Sequence, residues 1–594
     1  MTCPLNSLRF CSVIVFSITW KFKLNFVYFF IKIMSFYTIL LHCASFIVIC
    51  SSTSDDVYVI KTNGTKLIGR KLNTIFENTS YAAFWKIPYA VPPIGELRFK
   101  PPKSLRWFNK PVYNYSIPYN ESCSSGYNED CLYLSVYTPI IKYIFYFPVI
   151  VWIHENAHTH GPDFLIDEEV VVVTVSFRTS IFGFLNTEDN FAQGNMGAKD
   201  ILTALKWIRD NISYFNGDLN KVTVFGAGST APIVASLLLS AAGEDLFNRV
   251  IIQGGSALSP ADYRSYNFEI SNKLYWNLNG PFEKFNRTRL YEILSESSVK
   301  QLLVASHDLF DSTEVRDNQR LINAFSLTVE MSGKGSFMNK FPLEVYKRKI
   351  TNNAVEVMIG YTNLDSLHKL DGFVRNKKLL KYLNYNFQYL LPFEGRRDEF
   401  GSKLYKKIRR KIMDFYFVNG TVGERSLRRY AKYASDQVIY PILRQASLHT
   451  QVSCNNVYLY RFTYQGSFNI VWNTLLRNLN ISGATSGDEL CYQFKCKSLS
   501  SVYNTQEASN ERVFIKKIAR LLANFAKYGN PTPNSSDDIL EDLQWLPLIP
   551  NKSMRGLNMG TTLKMIKLPE EKRMEFWDQL KNQFFPNREI NDEL

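Results

Sequence analysis

Past residue 50, no uninterrupted apolar run is long enough to cross a bilayer, which takes about 20 residues in a helix. There is no internal repeat, heptad run or low-complexity linker, which excludes solenoid and coiled-coil architectures. Histidine is scarce, with 7 in 594 residues, and the last is His449. Nothing marks a nucleic-acid partner either. The formal net charge is +15, but the basic residues are scattered and no nucleic-acid module accompanies them. The densest basic run, Lys406 to Lys411, reads as a solvated helix face. Such a surface can still attract acidic partners or anionic membrane.

What is present is an ordinary globular composition, 46% hydrophobic and 21% charged, in a chain long enough to bury a large core. The apolar runs within residues 1–50 belong to targeting rather than to the fold. Met34 to Cys50 has the length of a signal peptide with a cut near Ser51, giving a signal peptide over 34–51 and a folded domain over 55–590. Residues 1–33 read as a non-native extension of the start. The rival reading makes the N-terminal segment an uncleaved signal anchor, the one way this chain meets a membrane. Secretion, or N-terminal anchoring at the cell surface, is the expected location.

Sequons agree with export. They fall at Asn63, Asn78, Asn114, Asn120, Asn286, Asn419, Asn480, Asn534 and Asn551, and also at Asn211, which is expected to be too buried for use. The mature region keeps Cys123, Cys131, Cys454, Cys491 and Cys496. An odd number leaves one thiol free or paired between chains. Cys123–Cys131 is the expected bridge.

Strand-like and helical patterns alternate, indicating a βαβ-type mixed sheet. Pro148 to His154, Glu169 to Ser176, Lys221 to Phe225 and Val250 to Gln253 read as buried strands. Ile201, Leu202, Leu205, Ile208 and Ile212 give a helix over 198–212, and Ala231 to Ser240 a second. His449 sits in a helix predicted over 441–451. After Phe225, a turn of small residues joins strand to helix, the local architecture of a nucleophile elbow.

Phe84-Trp-Lys-Ile-Pro-Tyr-Ala-Val-Pro-Pro-Ile-Gly-Glu-Leu-Arg-Phe99 and Glu129-Asp-Cys-Leu-Tyr-Leu-Ser-Val-Tyr137 resemble the two opening signatures of the cholinesterase/carboxylesterase family. Ile181 to Leu185, Gly194 to Gly197, Phe525 to Pro531 and Phe576-Trp577 match further landmarks in order, so the resemblance runs from about Ile60 to Leu580. It implies an α/β-hydrolase fold: a mixed, mostly parallel sheet flanked by helices.

Such an esterase needs a serine nucleophile, a histidine base, an orienting acid and backbone N–H donors for the oxyanion. Against the family's Phe-Gly-Glu-Ser-Ala-Gly elbow, this chain has Phe225-Gly-Ala-Gly-Ser-Thr230, which puts Gly228 at the nucleophile's position. Ser229 lies one residue late. That slip turns a helical side chain by about 100°, and Ser229 is expected as an N-cap instead. In the base loop Gly483-Ala-Thr-Ser-Gly-Asp-Glu-Leu490, Ser486 stands where the family has histidine, and no later histidine exists. Asp365, in Gly360-Tyr-Thr-Asn-Leu-Asp-Ser366, matches the acid and is expected in a surface turn. The family's His-Gly-Gly-Gly oxyanion loop reads His154-Glu-Asn-Ala157, where Glu155 and Asn156 crowd the donors and Glu155 opposes a developing negative charge.

His154-Glu-Asn-Ala-His158 also matches the zincin pattern. That motif works on a helix. Here it follows a strand and precedes the loop-like Thr159-His-Gly-Pro162, so no metal and no cofactor is expected, with His158 and His160 left as a surface pair. The resemblance extends to inactive recognition domains of the neuroligin, neurotactin and glutactin type. The expected function is a non-catalytic secreted glycoprotein that binds an extracellular protein or an apolar small molecule. The alternatives are a residual ester hydrolase using Ser229 and an N-terminally anchored adhesion ectodomain. Choline-like ligands are not expected, because residues 124–130 hold Tyr127 but lack the tryptophan that cholinesterases carry there.

Overall fold

The computed structural model describes residues 56–586, except 61–63, 106–109, 120–122, 124–127, 141–144, 264–267, 281–283, 308, 310–323, 332, 334, 349–354, 371–386, 388, 394–400, 424–425 and 476–480. The predicted signal segment and the sequons at Asn63, Asn120 and Asn480 lie outside the described residues.

Among the described residues, one large sheet organises the chain. Its strands are β1 (Asp56–Ile60), β2 (Lys66–Asn73), β3 (Ser80–Pro88), β4 (Val112–Asn114), β5 (Tyr133–Pro139), β6 (Phe147–Ile153), β8 (Val171–Val175), β9 (Gly217–Ala227), β10 (Arg249–Gln253), β11 (Glu356–Thr362), β12 (Val457–Phe462), β14 (Arg555–Met559) and β15 (Leu563–Lys567). β7 (His160–Gly161) and β13 (Lys495–Cys496) form a separate two-stranded ladder. The sheet order is β1-β2-β3-β5-β8-β6-β9-β10-β11-β12-β14-β15, with β4 beside β2. Pairing is parallel from β8 to β14 and antiparallel at both flanks, apart from β4, which runs parallel to β2.

The central strands are apolar on both faces because helices cover both sides. Successive side chains of β6 alternate between two cores: Val149, Val151 and Ile153 pack into one, Ile150 and Trp152 into the other. Helix α1 (Met196–Asn211) buries Ile201, Leu205 and Ile208. Its Asp200 forms a fully buried ion pair with Arg178, Nη2 to Oδ1 at 2.7 Å and Nε to Oδ2 at 2.8 Å. Helix α2 (Ala231–Leu237) follows the elbow and lies so close to β9 that a Cβ on Gly226 would sit 2.5 Å from Val234 Cγ2. Helix α3 (Lys403–Tyr416) carries the basic run, with Lys406, Lys407, Arg410 and Lys411 exposed and Ile408 and Ile412 buried. The helix predicted from Pro441 instead spans Leu427–Val452 (α4), with Pro441 in its interior. Proline removes one N–H donor from a helix without stopping a long one that tertiary packing supports. Helix α5 (Ser509–Tyr528) covers the other face of the sheet, and α6 (Glu571–Phe584) seats the fully buried Trp577. No helix of the described residues is long and apolar enough to cross a membrane.

Cys123–Cys131 is bridged as expected, and Cys491–Cys496 forms a second bridge. Cys454 is disulfide-bonded too, so of the expected alternatives, a free thiol or one paired between chains, the free thiol is overturned. Asn78, Asn114, Asn286, Asn419, Asn534 and Asn551 are exposed, whereas Asn211 is half-buried and donates from Nδ2 to the Trp207 carbonyl at 2.8 Å.

Candidate active site

β9 ends at Ala227, and Gly228 turns the chain at φ +60° into α2. That left-handed turn is where an L side chain pays steric strain and glycine does not. A Cβ on Gly228 would meet nothing within 4 Å, so the nucleophile's position is open space. The elbow holds its shape through Thr230, which is fully buried. Its hydroxyl donates to the Ile153 carbonyl at 2.6 Å and accepts the Ala227 N–H at 3.0 Å, tying the ends of β6 and β9 together.

Ser229 is not the expected N-cap. It is exposed, and its Oγ donates to Glu155 Oε1 at 2.9 Å. Thr230 holds the N-cap position of α2 without a side-chain bond to a helix N–H, and Ser229, one residue before it, points to Glu155 instead. The Glu155 carboxylate therefore stands beside the elbow, where an ester hydrolase develops its oxyanion. Asn156 is exposed, and its N–H turns back to His154 Nδ1 at 3.1 Å.

Asp365 does not sit in a surface turn. It is 3% exposed in a buried turn three residues past β11, and its Oδ2 accepts from the Thr362 hydroxyl at 2.9 Å and the Thr362 N–H at 3.3 Å. The base loop folds directly onto it: Ser486 N–H and Thr485 Oγ1 donate to the Asp365 carbonyl at 3.0 and 2.9 Å. A Cβ on Gly254 would lie 3.8 Å from Asp365 Oδ2, 3.8 Å from Ser486 Oγ and 4.0 Å from Gly228 N. The three positions that the resemblance matches to a triad thus converge on one point. Behind them, burial and the nearby Asp365 and Asp488 push the Glu489 carboxyl well above the usual carboxylate range.

A cavity of about 270 Å³ opens in front of this point, lined by Gly228, Ser229, Ser366, Leu391, Gln437 and Ser486 among others. His368 also lines it, with Nδ1 3.1 Å from Thr485 Oγ1. Chain order alone leaves this imidazole out of the site; three residues past the acid, it arrives on the turn Leu367–Leu370.

The zincin-like run is not helical. Ala157–Thr159 is a single tight turn, and His160 begins β7 opposite Cys496. Burial and mutual repulsion lower His154 to about 4, and burial lowers His160 to about 4. His160, Cys491 and Cys496 place ligand atoms within 4.8 Å of one another, but the two sulfurs are bonded to each other and offer no thiolate to a metal.

A model of the Carboxylesterase family matches residues 56–577. "Esterase FE4" of Myzus persicae is 29% identical over 499 residues, covering 79% of this chain and 83% of the relative. "Juvenile hormone esterase" of Tribolium castaneum is 27% identical over 494 residues, covering 77% and 81%. A crystal structure of juvenile hormone esterase from Manduca sexta, with OTFP covalently attached, superposes with a TM-score of 0.71 at 22% identity. It covers 89% of this chain and 100% of that one, a likeness of fold. With the sheet, the elbow and the converging positions all in place, the chain belongs to the carboxylesterase family, with the α/β-hydrolase fold.

Proposed function

We propose that this chain is a non-hydrolytic binding protein on the carboxylesterase scaffold, holding an apolar small molecule in the cavity in front of Gly228. One observation carries the reading: the nucleophile's position has no side chain, yet the turn, the acid and the cavity around it remain formed. The altered groups reinforce it. Ser486 is no base at neutral pH, and Glu155 brings negative charge where a hydrolase stabilises an oxyanion. The exposed sequons suit an extracellular setting, and a pull-down from extracellular extracts tests for an adhesion-type protein partner. The main test is turnover of short p-nitrophenyl esters together with fluorophosphonate labelling. The proposal expects neither; turnover with labelling at any serine overturns it.

A second reading has its own support in the Ser229–Glu155 hydrogen bond, which gives an exposed hydroxyl a carboxylate acceptor. A carboxylate is a weaker general base than imidazole, so this pair predicts slow hydrolysis at most. Activity lost in both Ser229→Ala and Glu155→Gln would establish it.

A further inference from the structure

The cavity in front of Gly228 has a polarity opposite to that of an ester-cleaving site. No lysine or arginine lines it among the described residues, while Asp262 and Asp365 do. Glu155 adds a further carboxylate at the elbow through Ser229. A carboxylate ligand would face these carboxyl groups with the His368 imidazole as the one basic side chain in the described lining, which is unfavourable at low dielectric.

Two residues of the lining each bury a polar atom that has no hydrogen-bond partner: Ser366 Oγ and Gln437 Oε1. Ser366 is 1% exposed and Gln437 8%. Each is held in place by its other groups. The Ser366 N–H donates to Ser435 Oγ at 3.0 Å, and Gln437 Nε2 donates to the Tyr433 carbonyl one turn back on α4 at 3.4 Å. That leaves the Gln437 carbonyl as an acceptor wanting a donor and the Ser366 hydroxyl free to donate or accept. Orphan polar atoms at such burial are uncommon and call for a partner. The apolar part of the lining is formed by Leu390, Leu391, Val438 and Pro260.

We infer that the ligand is a neutral apolar alcohol, whose hydroxyl donates to Gln437 and pairs with Ser366 while its hydrocarbon part packs on the leucines. This rests on the binding reading above and names its ligand class. A hydroxyl both donates and accepts, which matches the two orphan atoms; an ether or an ester only accepts, and Gln437 would stay unpaired.

The test is calorimetry on the purified chain with 1-hexanol, hexyl methyl ether, methyl hexanoate, hexanoate and hexylamine, with methyl hexanoate also followed for hydrolysis. The expected result is binding of 1-hexanol about tenfold tighter than the ether, the value of one hydrogen bond to a buried group. Gln437→Leu and Ser366→Ala should each erase most of that preference while leaving ether binding in place. Two variants guard against one misfolding. Hexanoate or the ester binding more tightly than the alcohol, or hexylamine more tightly than both, overturns the alcohol assignment and leaves the binding reading standing. Hydrolysis of methyl hexanoate overturns the binding reading itself, and failure of every probe to bind overturns both.

Discussion

Under the non-hydrolytic reading, the open space at Gly228 allows a triad to be built in, and the expected response can be worked out in steps. Gly228→Ser adds a side chain where no atom lies within 4 Å, so overpacking contributes nothing. The backbone stays at φ +60°, which costs an L residue about 1–2 kcal/mol. The single variant should therefore lose about that much stability in a urea titration and remain unlabelled by fluorophosphonate, since residue 486, next to Asp365, is a serine and supplies no base. Adding Ser486→His supplies an imidazole next to Asp365, whose carbonyl already accepts the residue 486 N–H. That double variant should label and turn over p-nitrophenyl acetate slowly. Adding Glu155→Gly removes the opposing carboxylate and frees backbone donors, worth about a hundredfold in rate, the scale of one oxyanion-hole donor. Destabilisation of the single variant beyond about 4 kcal/mol would mean the position is not open. A triple variant that folds but neither labels nor turns over would mean the three positions do not face one another.

Asp200→Ala should cost about 3–5 kcal/mol in chemical denaturation, because it leaves the buried Arg178 guanidinium without its carboxylate. Glu489→Gln should raise the melting temperature, and increasingly so as pH rises above the ordinary carboxylate range: burial raises this carboxyl in the folded chain, so the wild type alone loses stability as pH rises. His449 is buried in α4 with both ring nitrogens unpartnered, and burial lowers it from 6.5 to about 4. Its contribution is complete above about pH 6.5 and is lost as pH falls toward 4, at most about 3 kcal/mol. His449→Gln should flatten the acid limb of a stability-against-pH curve by that amount.

The parallel core was legible in the sequence because buried parallel strands read as continuous apolar runs: Val149 to Ile153 and Val171 to Val175 each match a strand within a residue or two. Gly228 and Ser486 were legible because short motifs hold their register along the chain. Long-range pairing was not. The Ser229–Glu155 contact joins residues 74 apart, and nothing local announces it. Asp365 is in a turn as read, but not at the surface, because the 485–486 loop, which arrives 120 residues later, folds onto it. His368 escaped for a related reason, since the order of triad members along the chain says nothing of a histidine that the acid's own turn carries in. Thr230 reads as the loss of a glycine, whereas in the fold its hydroxyl bonds two strand ends.

Gly228 also determines how the amount of this protein would matter. An esterase acts by turnover, so a trace of it clears a substrate given time. Under the binding reading, a hydrogen atom in place of a nucleophile makes the exchange mole for mole: each copy withholds one ligand and releases it unchanged. The chain's influence would then scale with its abundance relative to the ligand, and where it shares a ligand with active relatives it would act as a reservoir that delays their work.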